Sequence, residues 1–276
     1  MNELILGIKR HPRKFFTSLI FSYVTLWTIL EPLFTFLALK IESYNWAYLV
    51  VYLIISLVFT GIIVYPKRKI SFDLKNTNTK VEILFGDLFK QEGNKVISAN
   101  DYFDTEIGTP VSSNSLHGNF ISKVIGNHTD IIDNTIIDQL SNISPVYTPK
   151  SKGKQKKYPL GTTIHIDFNS TRYFLFALAE SDVNCKASCT PAKMFNSLEG
   201  LWYRLRDNGN GNRINLPLVG NGLSGVGIYP THLIQIILIS LLKFVKTYEI
   251  STTVRIVLKE DVFEKIDLEL INNNWQ

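Results

Sequence analysis

Two apolar runs near the N-terminus constrain this chain more than any other feature. Residues 15–39 read "FFTSLIFSYVTLWTILEPLFTFLAL" and residues 46–65 read "WAYLVVYLIISLVFTGIIVY". At about 1.5 Å per residue, each is long enough to cross a hydrocarbon layer of roughly 30 Å. In such a layer the backbone must satisfy its own polar groups, so each run is expected as a transmembrane helix and the pair as a hairpin. A basic "KRHPRK" precedes the first run as it would in a signal peptide, but the apolar core is too long and a second span follows at once.

Charge sets the orientation. Lys9, Arg10, Arg13 and Lys14 lie before the first run and Lys67, Arg68 and Lys69 after the second, while the connecting "KIESYN" has one cation and one anion. The positive-inside rule puts both flanks in the cytoplasm, with Trp46, Tyr48 and Tyr65 as interfacial anchors. The expected organisation is a basic cytoplasmic N-terminus (1–14), a two-helix transmembrane hairpin (15–66), a short polar linker (67–80) and a cytoplasmic domain (81–276). The protein is then a two-span protein of the cell inner membrane with both termini inside. Glu31, followed by Pro32, is the one charge inside the first span. A carboxylate there is costly, so it either packs as a polar residue against another helix or lines an assembly that breaches the membrane.

From residue 81 short apolar strands alternate with amphipathic segments. Strands are expected at "KVEILFGDLF", "NKVISAN", "GTTIHIDF", "RYFLFALA", "RINLPLV" and "TTVRIVLK", the third and fourth joined by a hairpin turn at "NST". Helices are expected over 115–140, 229–245 and 260–270. Another is framed by Thr190 as N-cap, Pro191 at the first helical position and Gly209 past the end. This alternation predicts an α/β domain with a largely buried mixed sheet covered on both faces. The apolar run "LIQIILISLL" at 233–242 is too short for a membrane span and reads as a buried helix of that domain.

The net charge of +5 comes partly from the membrane flanks and partly from "KSKGKQKK" at 150–157. That run reads as a solvated loop, and with no aromatics interleaved it does not point to nucleic acid. The two cysteines, Cys185 and Cys189, have a spacing that one helical turn would bring together, yet no histidine or carboxylate pair stands near to complete a metal site. They read as buried or capping thiols in a reducing compartment.

The stretch "INLPLVGNGLSGVGI" at 214–228 places Gly220, Gly222, Gly225 and Gly227 between a buried strand and a helix. Such a turn lets the backbone curl round an anion at a helix N-terminus, where N–H groups and the dipole suit phosphate oxygens. It lacks the Gly-Lys-Ser/Thr ending of a Walker loop and the downstream acid of a dinucleotide fold, so a plain tight turn remains the alternative.

Three segments taken together sharpen this reading. "VEILFGDLF" at 81–89, "VISAN" at 96–100 and "LPLVGNGLSGVG" at 216–227 resemble, in order and spacing, the ligand-loop motifs of macro domains, which bind ADP-ribose and its derivatives. A two-helix anchor ahead of such a domain resembles the membrane-bound effectors of type II Thoeris anti-phage defence. The resemblance implies a three-layer α/β/α macro domain sensing an ADP-ribose-derived signal, a histidine conjugate made by a TIR-domain partner. It also implies membrane lipid and further copies of the chain as partners, with no cofactor, no metal and no catalytic residue.

On that resemblance the ligand residues are Asp87, Leu88, Asn100 and the turn Gly220, Asn221, Gly222, Leu223, Ser224, Gly225, Val226 and Gly227, while Asp104, Ser115, His117 and Gly118, in the segment after Asn100 that departs from the family pattern, are expected to line an enlarged pocket around the distal ribose and the group attached to it. Asp87 is placed to accept a hydrogen bond from an adenine amino group, or is simply a turn aspartate. Asn100 serves the ribose or caps its strand. His117 pairs with a ligand carboxylate or caps the helix that starts there. Phe263 stacks on adenine or belongs to the core. Hydrolytic macro domains usually carry a run of glycines soon after the asparagine, whereas here "DYFDTEIGTPVSSNSLHG" is longer and polar. A binder is therefore expected rather than an ADP-ribosyl hydrolase, which stays the alternative beside a constitutive anchor for ADP-ribosylated partners.

Overall fold

The computed structural model describes residues 2–36, 46–222 and 225–276. It divides into two compact units, one ending at Lys67 and the other starting at Arg68.

In the first unit, α1 (Glu3–Arg10) is capped by Asn2, whose Oδ1 accepts from Leu4 N at 3.0 Å. Glu3 opens this helix and Lys9 and Arg10 close it, each charge matching the local end of the helix dipole. The first long apolar helix, α2 (Pro12–Phe36), begins three residues earlier than the apolar run suggests, because Pro12 fits a first helical turn and the basic residues after it continue the helix. The second, α3 (Trp46–Val64), starts where expected. The expected loop "KIESYN" and the last residues of the first run, 37–39, lie outside the described residues. Both helices are long and apolar enough to cross a membrane. They pack along Tyr52, Ser56, Thr60 and Val64, a buried i+4 stripe on α3, with the Tyr52 ring edge-on to Tyr23 and Trp27. A methyl group at Gly7 would overlap the Val64 carbonyl oxygen, so α1 sits directly on the end of α3.

The second unit begins with a strand. Residues expected as linker form β1 (Lys69–Asp73), which pairs antiparallel with β2 (Lys80–Phe85). Ile70 and Phe72 are buried between Lys69, Ser71 and Asp73, a period-two pattern too short to stand out from its polar neighbours. After a 3₁₀ turn (Leu88–Lys90) come β3 (Asn94–Asn100), the short α4 (Leu116–Asn119) running into a π turn (Phe120–Val124), and α5 (Asp130–Gln139). The single helix expected over 115–140 is broken at Gly126 and Asn127, both in the left-handed region. The short β4 (Val146–Tyr147) and β5 (Lys156–Lys157) pair with each other. The hairpin of β6 (Thr163–Phe168) and β7 (Thr171–Ser181) follows, its Asn169–Ser170 turn having positive φ at both residues.

Beyond β8 (Ala187–Ser188) lies α6 (Pro191–Asn208), with Thr190 capping Lys193 N and the Gly209 N–H donating to Leu205 O at 2.8 Å. The chain ends through β9 (Ile214–Pro217), α7 (Pro230–Val245), β10 (Thr253–Leu258), a 3₁₀ turn (Glu260–Lys265) and α8 (Leu268–Trp275). The expected helix at 260–270 is thus two pieces, divided where Asp267 caps α8 through Glu269 N and Leu270 N.

The sheet runs β1-β2-β10-β9-β3-β7-β6, with β8 on β7. The five inner strands are parallel and both edges antiparallel. One face is covered by α6, α7 and α8, where Trp202, Ile237 and Leu241 are closed off from water and Trp275 stacks on Phe72. On the other, Phe120, Ile121, Ile132 and Ile136 pack on Ile97, Leu175 and Ala177. This is the expected three-layer α/β/α architecture, and the apolar run at 233–242 lies within α7, which buries Leu233, Ile234, Ile237, Leu238 and Leu241.

Candidate ligand-binding site

Parallel strands bring their carboxyl ends to one edge of the sheet. From its centre the chain moves outward in two directions, from β3 to β7 and from β9 to β10, so the topology reverses between β3 and β9. In open α/β sheets a crevice forms at that point. Here β3 and β9 pair only at Asn94 with Ile214 and Lys95 with Asn215. Above the part of the sheet where they separate lies a cavity of about 250 Å³. Its walls are the end of β3 (Ser98, Ala99, Asn100), residues 110–117, the turn after β9 (217–222) and the residues after β10.

The cavity brings together Asn100, Ser115, His117, Gly220, Asn221 and Gly222 of the expected set. Leu223 and Ser224 lie outside the described residues. Asp87, Leu88, Asp104, Gly118, Gly225, Val226 and Gly227 are not in its wall. Asp87 is exposed, and its Oδ1 accepts from Phe89 N at 2.9 Å, while Leu88 is buried beneath it. Gly118 packs against the Ser112 carbonyl, where a methyl group would overlap. Within the glycine turn, Gly225 N donates to Gly222 O at 3.0 Å and Val226 N to Gly220 O at 3.2 Å, so two of the amides expected to face an anion close the turn instead.

The polar side chains at the wall are more committed than their types suggest. Asn100 Nδ2 donates to Asp104 Oδ2 at 2.8 Å and its Oδ1 accepts from Tyr102 N and Asp104 N, which makes it the organiser of its own turn. Ser115 Oγ accepts from Gly118 N at 2.9 Å and donates to Ser112 O at 2.6 Å, so Ser115 and not His117 caps α4. Phe263 is buried edge-on against Phe85, 5.0 Å between centroids, and stays out of the cavity wall. Ser112, Asn114, Lys259 and Asp261 are wall residues that sequence reasoning missed. The last two follow directly on the end of β10, and position after a parallel strand is the signal that could have found them.

Residues 81–259 match the family described as "Thoeris protein ThsA, Macro domain". The chain belongs to that family. It is also 27% identical over 159 residues to the Thoeris protein ThsA of Bacillus amyloliquefaciens (strain Y2), which covers 55% of this chain and 52% of that protein. The match thus spans about half the length of this curated relative. Among solved structures, the Oceanobacillus iheyensis macrodomain with ADP superposes at a TM-score of 0.50, with 15% identity over 75% of this chain and 98% of its own. A variant of the same macrodomain with ADPR gives 0.51 at the same identity and coverage. These likenesses show the fold.

Beside the cavity, this macro domain buries the side chains of Asp101, Asp104 and Lys150. Asp104 is fully buried and accepts from Asn100 Nδ2 and, at 2.7 Å, from Lys154 N, and it pairs with the equally buried Lys150 ammonium. Lys154 pairs with Asp133, and Lys157 lies 3.2 Å from the buried Asp101. The run "KSKGKQKK" is therefore not a solvated loop. Three of its five lysines, Lys150, Lys154 and Lys157, fold back onto carboxylates of other segments, and for the buried Asp104 and Asp101 this supplies the cation that a buried carboxylate needs. Burial raises the Asp101 carboxyl, against the Ser181 amide and Lys157. "CKASC" is not helical either: Cys185 sits at positive φ, and burial pushes the Cys189 thiol up to about 11. No cluster of metal-ligating side chains occurs among the described residues.

His117 is buried, and its Nε2 has no hydrogen-bond partner among the described residues. Burial, reinforced by the nearby Lys154 ammonium, pushes its pKa down to about 4 from 6.5. The imidazole is neutral at pH 7 and offers a ligand a hydrogen bond, not a charge. Because the folded-state value is depressed, its contribution to stability is complete above pH 6.5 and is lost as pH falls toward 4. Relative to pH 8, His117 should cost about 1 kcal/mol of stability by pH 6. Unfolding measured across that window should flatten in His117→Gln, and an unchanged profile would mean that the imidazole is not desolvated.

Proposed function

We propose that this chain is a membrane-anchored sensor and effector of anti-phage defence. Its macro domain binds an ADP-ribose-derived nucleotide in the cavity between β3 and β9, and occupancy favours self-association of the α2–α3 anchors and damage to the membrane. The observation that carries the reading is the cavity itself. It opens at the switch point of the sheet, with Gly220 to Gly222 in its wall, in a chain of the ThsA macro-domain family. The N-terminus of α7 follows that turn, begins with Pro230 and has no side-chain cap from Tyr229, which suits it to phosphate oxygens. In this reading the nucleotide extends out of the cavity to the exposed turn after β2, where Asp87 meets the adenine amino group, and His117, with Ser112 and Asn114, meets the group attached to the distal ribose.

The signal in this reading is a histidine conjugate of ADP-ribose made by a TIR-domain enzyme. No bond needs to break. The ligand acts by binding the assembled state more tightly than the dispersed one. Glu31, on α2 ahead of Pro32, is the residue of the anchor assigned to the assembly. The termini lie in the cytoplasm of a cell whose inner membrane holds α2 and α3.

Full-length protein in dye-loaded phospholipid vesicles tests this, with ADP-ribose and its histidine conjugate as probes. Dye release on addition, with the nucleotide recovered intact by mass spectrometry, is the expected outcome. Cleaved nucleotide would make the protein a hydrolase, and saturated binding without release would reduce α2 and α3 to a tether.

A further inference from the structure

The turn that carries Asp87 is tied to the sheet by a chain of directed hydrogen bonds. Arg255, on β10 and almost fully buried, gives Nε and Nη2 to Glu82 Oε2 on the adjacent β2 at 2.9 and 2.6 Å. Its Nη1 donates to Gln91 Oε1 at 2.9 Å. Gln91 Nε2 in turn donates to the Asp87 carbonyl at 2.9 Å, and Gln91 N to Leu88 O at 3.2 Å. From the next strand, Asn215 Nδ2 reaches Glu92 O at 2.8 Å and Asn94 O at 3.0 Å. Two neighbouring strands thus hold the whole 87–94 connection from below.

An ion pair is a weak choice for stability at such a place. Buried pairs roughly break even against apolar residues of the same size, whereas directed hydrogen bonds fix geometry. The arginine fork has one edge on Glu82 and aims Nη1 at Gln91 Oε1 at 2.9 Å, with Asn215 Oδ1 a longer second acceptor at 3.5 Å. Gln91 is the only side chain hydrogen-bonded to the Asp87 backbone among the described residues. It has no place in the cavity wall, so its effect on a ligand passes through the turn.

We infer that Gln91, held by Arg255, is a positioning residue that sets base selection by fixing the turn from which Asp87 presents its carboxylate. The inference rests on the reading that Asp87 meets adenine. Glutamine suits this role because it accepts from the arginine and donates to the carbonyl at once. Gln91→Glu separates the two bonds: it keeps an acceptor for Arg255 and removes the donor to Asp87 O. Gln91→Met removes both without adding a charge.

The test is calorimetry on the full-length chain in lipid nanodiscs, with ADP-ribose and its hypoxanthine counterpart as probes. The parent should prefer the adenine form. In Gln91→Glu that preference should fall about fivefold, the effect of one ordinary hydrogen bond, with the melting temperature unchanged. Gln91→Met should lose preference to the same degree should the glutamate variant fold poorly. A folded variant with the parent's preference overturns the positioning role alone. A parent that binds both nucleotides equally overturns base selection at Asp87, and the positioning role with it.

Discussion

Asp104→Ala should destabilise the macro domain by about 3–5 kcal/mol, the usual cost of leaving a buried charge without its partner. The Lys150 ammonium, fully buried and 4.1 Å from the Tyr102 ring centroid, would lose its counter-charge. The Lys154 amide and the Asn100 side chain would lose their acceptors in the same step. Gly153, at positive φ, passes so close that a methyl group there would overlap Asp104 Oδ1, so the segment 150–157 is moulded around this carboxylate. Thermal unfolding of the full-length chain followed by circular dichroism reads the effect. Removing both charges, Asp104→Ala with Lys150→Met, should recover much of the loss. An Asp104→Ala protein as stable as the parent would mean that the segment 150–157 is not anchored there.

Gly222→Val should weaken ADP-ribose binding ten- to a hundredfold, roughly 1.4–2.7 kcal/mol, and leave the fold intact. Position 222 lies in the cavity wall, nothing stands within 4 Å of a Cβ built there, and its φ is outside the left-handed region. A valine therefore costs the fold little and fills part of the cavity. Its neighbour behaves oppositely. Gly220 has φ +83, and a Cβ would come within 2.7 Å of the Val226 side chain and 3.1 Å of Leu233, so Gly220→Val should lose stability first. Only the contrast between the two separates a ligand turn from a merely tight one.

What can be read from the sequence is whatever local pattern encodes. Two apolar runs announce α2 and α3, and Thr190, Pro191 and Gly209 frame α6. The unbroken apolar segment of β7 is buried on both faces, as a central parallel strand requires. Long-range pairing is not legible. Nothing near "KSKGKQKK" announces that Lys150 will be buried on Asp104, 46 residues earlier, or Lys157 on Asp101. β1 escapes a sequence reading because two apolar residues are a weak period-two signal until β2 and α8 close over them.

The site divides along the same line. The glycine turn and the end of β3 can be found because both lie next to strong strand signals, and both reach the cavity. Asn100 has the type and position of a ligand group, yet Asp104 stands four residues on and takes its amide, a local competition that the spacing alone does not decide. His117 reads from the sequence as a cation or a cap. Burial makes it neutral, and Ser115, two residues earlier, does the capping.

Whether the cavity between β3 and β9 is an ADP-ribose site is decided by titration calorimetry of full-length parent and Gly222→Val in nanodiscs. The parent should bind ADP-ribose saturably and the variant at least tenfold more weakly, at equal melting temperature. Equal affinity in the two proteins, or no binding by the parent, would remove the cavity as the ligand site.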